Sequence, residues 1–264
     1  MRVGFVGLGV QGKGLAENIQ RDDHELMVFD ARPEAVGELV TLGAAAAPSL
    51  AAIGKSAELV IICVRDDDQV KDVLLGASGI LAHMTPGNIV AIHSTVADTT
   101  MIELGEIARA SGVEIVDAPV SGGARGAAER SMSYILGGSP EAIERCKPVF
   151  AASGDKFTHV GDVGAATRAK LIHQAIMCVN MMAAHEGMRM GLAAGIEPES
   201  LRKVMTDGGA QSWMTDHWFD ISFRPAAIPT LEKDLGLALK LADRLGIDAK
   251  AVRLAERLIE EIVP

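Results

Sequence analysis

Short apolar runs alternate with helical segments through the first 161 residues, and this alternation constrains the fold more than any other feature. The runs cover residues 2–7, 25–30, 58–64, 88–94 and 113–119, and two more, 131–138 and 156–161, flank a helical segment. Segments between them, such as 33–43 and 99–112, have apolar residues at a period near 3.6 and end in glycine. Strands that alternate with helices form βαβ units, so the pattern predicts an α/β, doubly wound and mainly parallel sheet.

The pattern changes after Gly161, because no later run has the character of a strand. An apolar helix of about twenty residues is predicted after Arg168, and further helical segments follow at 198–209, 212–223, 230–246 and 249–262. We therefore predict two domains: residues 1–161, with the sheet, and residues 162–264, all helical and joined to the first by a long interdomain helix.

Composition excludes several classes of protein. The 264 residues carry 25 Lys and Arg against 35 Asp and Glu, a formal charge of −10, which argues against nucleic acid or an anionic membrane as a partner. Polar residues interrupt the longest apolar helix too often for a membrane span. The three cysteines lack metal-site spacing, and no signal peptide is evident, so we expect a cytoplasmic protein with reduced thiols and no metal.

A glycine-rich turn, Gly7-x-Gly9-x-x-Gly12, follows the first apolar run and opens a helix. The first glycine permits a tight turn, the second lets the backbone approach a pyrophosphate, and the third lets the helix pack closely on the strand. The helix N-terminus offers N–H groups and a positive dipole to the anion. The alternative is a strand-to-helix turn without a ligand, but the βαβ context favours a dinucleotide site. The predicted contacts of the turn are Gly7, Leu8, Gly9, Val10, Gln11 and Gly12.

The cofactor is expected to be NAD rather than NADP. Asp30 ends the second apolar run, 18 residues after Gly12, near the spacing of a carboxylate that accepts hydrogen bonds from the ribose hydroxyls. That carboxylate would repel a 2′-phosphate. Arg32 complicates the prediction, since an arginine two residues further on could turn to a phosphate.

With this motif in place, the chain resembles the β-hydroxyacid dehydrogenase family, which includes 3-hydroxyisobutyrate dehydrogenase, tartronate semialdehyde reductase and 6-phosphogluconate dehydrogenase. The similarity covers nearly the whole chain, in order. Five stretches carry it: "GFVGLGVQGKGLAENI" with Gln11 where Met is usual, "HSTV" (93–96), "DAPVSGGARGAAERSMSYILGG" (117–138), "GDVGAATRAKLIHQ" (161–174) with Ala166 where Gly is usual, and "EKDLGLA" (232–238).

The resemblance implies a Rossmann-like N-terminal domain and a helical C-terminal domain that helps dimerise. It also implies reversible NAD(P)-dependent oxidation of a small 3-hydroxy acid to its semialdehyde or keto acid, with Lys170 as the general acid/base. A lysine is suitable if partial burial lowers its pKa toward neutrality. Without the resemblance, a solvated lysine on an amphipathic helix is the more ordinary interpretation.

The same resemblance assigns the substrate contacts. Ser121, Gly122 and Gly123 are expected to hold the substrate carboxylate through a hydroxyl and successive N–H groups, although Ser-Gly-Gly also fits a simple turn between strands. Gln174 occupies a position where Asn is usual, and its amide can bond both the lysine and the substrate. His173 is expected beside it, and an ordinary hydrogen-bonded helix residue is an equal alternative.

Met177 occupies the position where the phosphogluconate branch has a Glu, which favours a dehydrogenase that does not decarboxylate. Residues 210–235 are expected to recognise the substrate beyond its carboxylate. The remaining predicted cofactor contacts are Val64, Arg65, Thr95 and Lys233.

We thus predict an NAD-dependent dehydrogenase of a small carboxylate-bearing substrate, active as a homodimer or homotetramer. Two alternatives stay open: a non-catalytic sensor or scaffold that binds NAD(H), and an imine reductase-like enzyme, although that branch usually lacks the lysine. A panel of hydroxy acids and aldehydes followed by NADH absorbance separates the three.

Overall fold

The computed structural model describes residues 1–22, 24–220 and 227–263. The chain divides into two compact units, Met1–Lys170 and Leu171–Pro264.

The first unit is built on one sheet. Its strands, within the described residues, are β1 (Arg2–Val6), β2 (Glu25–Phe29), β3 (Ala45–Ala46), β4 (Leu59–Ile62), β5 (Ile89–Ile92), β6 (Glu114–Asp117), β7 (Val120–Ser121), β8 (Ser133–Gly137) and β9 (Lys156–Gly161). They lie in the order β3-β2-β1-β4-β5-β6-β8-β7, and β9 pairs with β8. The pairs from β3 to β6 are parallel, whereas β8 is antiparallel to β6 and β7. The predicted α/β class with a mainly parallel sheet is confirmed.

The strand order reverses at β1, which has β2 on one side and β4 on the other. In doubly wound sheets, ligands bind outside the carboxyl ends of the strands at such a point. The predicted glycine turn begins directly after β1, and the backbone extends the pairing past the strand ends, with Gly7 N bonded to Phe29 O at 3.0 Å and Cys63 N to Val6 O at 2.8 Å.

Helices cover both faces of this sheet. They are α1 (Val10–Gln20), α2 (Pro33–Thr41), α3 (Leu50–Ser56), α4 (Asp67–Leu75), α5 (Asp98–Ala110), α6 (Gly123–Ala128) and α7 (Pro140–Phe150), with a 3₁₀ turn at Leu81–His83. Side chains that precede three of them accept a hydrogen bond from the third helical amide: Ser49 for α3, Asp66 for α4 and Ser139 for α7. These caps satisfy N–H groups that have no partner inside the helix.

The core follows from the period of two in the strands. On β4, Leu59 and Ile61 enter one buried cluster, and Val60 and Ile62 enter the cluster on the opposite face. All four side chains are fully buried, as expected for a parallel strand covered on both faces. Each such burial contributes about 1.5–3 kcal/mol to stability, so β-branched runs of this kind fix the sheet.

Helix α8 (Ala165–Ala193) begins in the first unit and continues into the second. It has 29 residues, whereas about twenty were predicted after Arg168. It begins earlier, at Ala165, and ends just before Gly195, which has φ +79. A Cβ at Gly191 would lie 2.6 Å from Leu201, so glycine there permits close packing of the helix that follows.

The rest of the second unit consists of α9 (Pro198–Thr206), α10 (Trp213–His217), α11 (Ile228–Arg244), α12 (Lys250–Arg257) and α13 (Ile259–Ile262), and its described residues contain no strand. The single helix predicted over 249–262 is wrong, because the chain turns at Leu258 and places Ile259 and Ile262 in the core of this unit. Residues 221–223 of the predicted 212–223 helix lie outside the described residues. No described helix has both the length and the apolar character that a membrane span needs.

Candidate active site

Two of the three glycines in the turn are required by the chain itself. Gly7 has φ +97, and a Cβ there would lie 2.3 Å from the carbonyl oxygen of Cys63. A Cβ at Gly12 would lie 2.0 Å from the carbonyl oxygen of Gly7. No side chain can be accommodated at such distances, so these positions permit the tight turn and the close approach of helix to strand.

Gly9 is different, because no contact among the described residues requires a glycine there. Its backbone is extended, with φ −68 and ψ −171, and apart from Gly9, its two chain neighbours and nearby backbone, no atom of the described residues lies within 4 Å of the position that a Cβ would take. The space in front of Gly9 is therefore open. It fits a group that must approach the backbone more closely than a methyl would allow, which is the requirement of a pyrophosphate.

The N-terminus of α1 faces the same space. Gly9 is its N-cap residue, and no side chain among the described residues caps the helix. Val10 at the first helical position is largely exposed. The first amides of the helix and its dipole are thus available to an anion, and Gly9, Val10 and Gln11 fit the pyrophosphate of a dinucleotide.

Asp30 is fixed against this turn by hydrogen bonds. Its Oδ2 accepts from Leu8 N at 2.6 Å, and its Oδ1 accepts from Arg32 N at 2.9 Å and from Arg32 Nε at 3.0 Å. Burial raises the pKa of the Asp30 carboxyl, but the hydrogen bonds from the Arg32 side chain and from the amides of Arg32 and Leu8 outweigh it and hold that pKa below its ordinary value. Asp30 is therefore a carboxylate at neutral pH.

Arg32 bonds both to Asp30 and to the glycine turn. Besides its bonds to Asp30, its Nη2 donates to Leu8 O at 3.0 Å. Its side chain is half exposed, at 55%, whereas that of Asp30 is 10% exposed. The guanidinium thus lies on the solvent side of the carboxylate, and the amides of Leu8 and Arg32 are the donors that Asp30 retains if that side chain moves away.

Val64, Arg65 and Thr95 follow the ends of β4 and β5, next to the glycine turn in strand order. Val64 and Thr95 are half-buried, and Arg65 is exposed. The hydroxyl of Ser94 ties the two segments together, since it accepts from Val64 N at 2.9 Å and donates to Val64 O at 2.8 Å. Sequence reasoning missed Ser94, although it lies in the 93–96 segment that the resemblance singled out.

The predicted carboxylate site, Ser121 to Gly123, forms a sharp turn. Ser121 ends β7, Gly122 is the N-cap residue of α6 with φ +135, and Gly123 is the first residue of that helix with φ +59. No atom of the described residues lies within 4 Å of a Cβ position at Gly123, so the turn is open on that side. Two successive glycines with positive φ expose backbone N–H groups in the way that anion-binding turns do.

The side chain of Met132 packs against this turn. This contact was not predicted from the sequence. Met132 is fully buried, and its sulfur would lie 2.8 Å from a Cβ at Gly122 and 2.9 Å from one at Gly126. Gln11 Nε2 lies 3.9 Å from the same sulfur. The cofactor turn and the carboxylate turn are therefore joined through one thioether. No local spacing signals this contact.

Lys170 lies in the second turn of α8 and is the last residue of the first unit. Its side chain is buried, with a residue exposure of 7%. Lysines are almost never this buried unless they are paired or functional. The solvated lysine that the sequence allowed as an alternative is therefore not what the structure contains.

The other polar residues predicted on α8 belong to the second unit, where they form a chain of hydrogen bonds. His173 Nδ1 lies 3.1 Å from Gln174 Oε1, and Gln174 Nε2 donates to Asp234 Oδ2 at 2.8 Å. Lys233 Nζ pairs with Asp234 Oδ1 at 2.9 Å. The structure thus brings His173, Gln174 and Lys233 together through Asp234, a buried carboxylate that sequence reasoning passed over although it follows Lys233 directly.

Part of the predicted substrate region, residues 221–226, lies outside the described residues. Among the others, Trp213 is exposed, and its ring stacks on that of His217 with centroids 4.6 Å apart. A capping box formed by Ser212 and Thr215 starts this helix.

Comparison with known proteins gives two family matches that together cover nearly the whole chain. Residues 2–161 match the NAD binding domain of 6-phosphogluconate dehydrogenase. Residues 164–263 match the NAD-binding domain of NADP-dependent 3-hydroxyisobutyrate dehydrogenase.

Individual proteins similar to this chain are named as dehydrogenases. An NAD-dependent L-serine dehydrogenase of Pseudomonas aeruginosa is 35% identical over 80% of this chain and 71% of its own length. The 3-hydroxyisobutyrate dehydrogenase of the same organism is 32% identical over 97% and 90%. A crystal structure of 3-hydroxyisobutyrate dehydrogenase from Salmonella typhimurium superposes with a TM-score of 0.85 at 31% identity, over 99% of this chain and 93% of that one.

Proposed function

Because the chain belongs to the β-hydroxyacid dehydrogenase family and is an NAD(P)-dependent hydroxyacid dehydrogenase, we propose that Lys170 is its general acid/base. We propose further that the substrate is a small 3-hydroxy acid, oxidised to its semialdehyde or keto acid without loss of CO₂. The observation that supports this best is the burial of Lys170 in the second turn of α8. A positioned amine of this kind exchanges a proton with the reacting oxygen in a site that excludes water.

In the oxidative direction, the Lys170 amine takes the proton of the substrate hydroxyl. In the reductive direction, its ammonium polarises the carbonyl oxygen and returns the proton. The nicotinamide, when bound, would supply the hydride chemistry at the substrate carbon that bears this oxygen. In this proposal Lys170 transfers the proton, and the hydride transfer belongs to the cofactor.

The Ser121–Gly123 turn is proposed to hold the substrate carboxylate. The Ser121 hydroxyl and the amides of Gly122 and Gly123 supply the donors, and the open side of Gly123 supplies the space. Each charge-assisted hydrogen bond to the carboxylate is worth about 1.5–3 kcal/mol. Substrates that carry a carboxylate should therefore be strongly preferred.

Gln174 is proposed to orient the substrate oxygen. Asp234 and His173 each occupy one bonding position of its amide, but the NH₂ group retains a second hydrogen and the carbonyl a second lone pair. Because Asp234 fixes which end of the amide is the donor, Gln174 presents one defined face. The absence of a Glu at Met177 supports a reaction without decarboxylation.

The cofactor is proposed to be NAD in preference to NADP. Asp30 is ionised and lies at the corner of the glycine turn, where its carboxylate suits ribose hydroxyls and repels a 2′-phosphate. Arg32 neutralises part of that charge, so some activity with NADP is expected. Val64, Arg65 and Thr95 are proposed as further cofactor contacts of the first unit, and the contact from Lys233, a residue of the second unit, stays a prediction.

We also propose that residues 1–161 act as the cofactor domain of a cytoplasmic homodimer or homotetramer. The second unit leaves apolar side chains exposed along α8, among them Ile172, Ile176 and Met190. Ile172 and Ile176 are one turn apart on the same face, and exposed apolar stripes on a helix are typical of subunit contacts.

A substrate panel tests the proposed function. Small 3-hydroxy acids are offered with NAD or NADP, and the matching semialdehydes with NADH or NADPH, while absorbance at the nicotinamide band is followed. Each carboxylated compound is paired with an analogue that lacks the carboxylate. Turnover of the carboxylated members supports the proposal. Equal use of both members of a pair would remove the role of the Ser121–Gly123 turn, turnover of cyclic imines alone would indicate imine reduction, and cofactor binding without any turnover would indicate a sensor.

A further inference from the structure

Asp117 ends β6 and is completely buried, with 0% exposure. Its Oδ2 accepts a hydrogen bond from Thr167 N at 2.9 Å. Thr167 is the third residue of α8, so Asp117 satisfies an amide that has no partner inside the helix. The two residues are fifty positions apart, and the cap therefore comes from the sheet and not from the residue that precedes the helix.

The surroundings of Asp117 are shaped to contain this carboxylate. Its partner across the sheet is Gly137, where a Cβ would lie 2.2 Å from Asp117 Oδ1. Any side chain at Gly137 would expel the carboxylate from its place. Burial raises the pKa of Asp117, and hydrogen bonds from the amides of Thr167 and Gly164 oppose that effect. Burying a carboxyl group at this place costs free energy. At α3 and α7 a serine hydroxyl provides the same kind of helix cap.

A second buried carboxylate holds the next residue of the helix. Asp98, at the start of α5, lies with Oδ2 3.8 Å from Arg168 Nη1. Asp117 thus binds the backbone of one residue in the first turn of α8, and Asp98 forms an ion pair with the side chain of the next. Lys170 follows Thr167 by three residues, which is about 4.5 Å along the helix axis.

Asp117 also lies on the segment that carries the proposed carboxylate site. Four residues after Asp117 the chain reaches Ser121, through Ala118 and Pro119 and into β7. The position of the Ser121–Gly123 turn and the position of Lys170 are therefore both set from this one short segment, all of it within the first unit.

We propose that Asp117 is a positioning residue of the reaction: by holding the first turn of α8 it places the Lys170 amine relative to the substrate carboxylate bound at Ser121–Gly123. This inference rests on the proposed function of Lys170. Displacement of a catalytic group by about 1 Å can cost on the order of 10²-fold in rate. Asp117 acts through Lys170 and does not itself contact the reacting atoms.

The test uses the full-length enzyme with four substitutions. Asp117→Ala removes the acceptor, and Asp117→Asn keeps an oxygen that can face Thr167 N and also serves if the alanine variant does not fold. Ser49→Ala is the matched control, since it removes the side-chain acceptor of a third helical amide from α3, which carries no proposed site residue. Lys170→Ala, alone and combined with Asp117→Asn, completes a double-mutant cycle. Measurements are kcat, Kd for NADH and the midpoint of thermal unfolding.

Asp117→Ala is expected to lower kcat by about tenfold or more, Asp117→Asn by less, and Ser49→Ala by less than about twofold, while Kd for NADH stays within about twofold in all three. In the Lys170→Ala background, Asp117→Asn should change kcat by less than about twofold, because the group it positions is gone.

Two results overturn the inference and leave the function of Lys170 intact. In the first, folded Asp117 variants retain the kcat of the Ser49→Ala control. In the second, Asp117→Asn costs the same factor with and without Lys170, which indicates a purely structural role. If Lys170→Ala itself keeps more than about a tenth of wild-type kcat, the proposed function fails and the inference falls with it.

Discussion

The open space in front of Gly9 predicts an unusual result for Gly9→Ala: loss of cofactor affinity in a protein that folds normally. Beyond its own residue, the two chain neighbours and nearby backbone, the added methyl meets no atom of the described residues within 4 Å, and the extended backbone at φ −68 is allowed for alanine. Replacing glycine reduces the entropy of the unfolded chain, which stabilises by about 0.4–1 kcal/mol. Alanine is a poorer N-cap than glycine by a similar amount. The free energy of unfolding should therefore change by less than about 0.5 kcal/mol, and the unfolding midpoint by less than about 2 °C.

Gly9→Ala should lower a free energy only when the cofactor binds, namely the free energy of binding. A methyl at Gly9 occupies the space through which the pyrophosphate reaches the first amides of α1, and displacement weakens at least one charge-assisted hydrogen bond worth about 1.5–3 kcal/mol. At about 1.4 kcal/mol per factor of ten, Kd for NADH should rise by about 10- to 150-fold. Titration of NADH by fluorescence or calorimetry measures this directly.

Two further glycine substitutions serve as controls. Gly37 lies on the exposed face of α2 with no described atom within 4 Å of its Cβ position, so Gly37→Ala should stabilise by about 0.8–1 kcal/mol and leave Kd unchanged. Gly12→Ala places a Cβ 2.0 Å from Gly7 O and should lower both stability, by about 1–3 kcal/mol, and affinity. Wild-type affinity in Gly9→Ala would refute the pyrophosphate assignment, and unfolding of Gly9→Ala would refute the spatial argument.

Three other predictions concern chemistry, cofactor choice and assembly. Lys170→Ala should lower kcat by about 10²–10⁴ at unchanged Kd for NADH, and Lys170→Arg should not restore it because guanidinium stays protonated; retention of more than about a tenth of kcat, with chemistry rate-limiting, would contradict this. Asp30→Ser should lower kcat/KM with NAD by about 10- to 150-fold and raise the relative use of NADP, since Arg32 is released; a tenfold preference of the wild-type enzyme for NADP would overturn the assignment. Ile176→Lys should lower the molar mass in light scattering, and a monomeric wild-type protein at micromolar concentration would disprove the oligomer.

Local patterns in the sequence were sufficient for the fold class, and the resemblance of five stretches to a known family was sufficient for the family and the type of enzyme. The apolar runs of β1, β2, β4, β5, β6, β8 and β9 predict strands correctly because strand burial repeats along the chain itself. Strands β3 and β7 have two residues each, too few to show a period. The turn at Leu258 was not predicted either, because the apolar positions on both sides of it continue one helical pattern.

The glycine turn is the part of the site that the sequence determined most fully. Its three glycines are close in the chain. Gly7 turns with φ +97 and Gly12 approaches Gly7, which are local requirements, although the Cys63 carbonyl that also excludes a side chain at Gly7 is far along the chain. The open space at Gly9 is the part proposed to receive the cofactor. Asp30 was predicted as a cofactor contact from spacing. Its bond to Leu8 N, which makes it part of the turn itself, was not, since twenty-two residues separate the two.

Only the tertiary structure decided which polar groups support the predicted site residues. Asp117 meets Thr167 across fifty residues, Asp234 meets Gln174 across sixty, and Met132 lies beneath Gly122 because β8 pairs with β7. Each is a buried group whose partner is chosen by strand order and helix packing, and no spacing rule along the chain specifies such a partner. Residue type and local spacing therefore determine what a site can do, whereas the packed sheet and helices determine which side chains hold it in place.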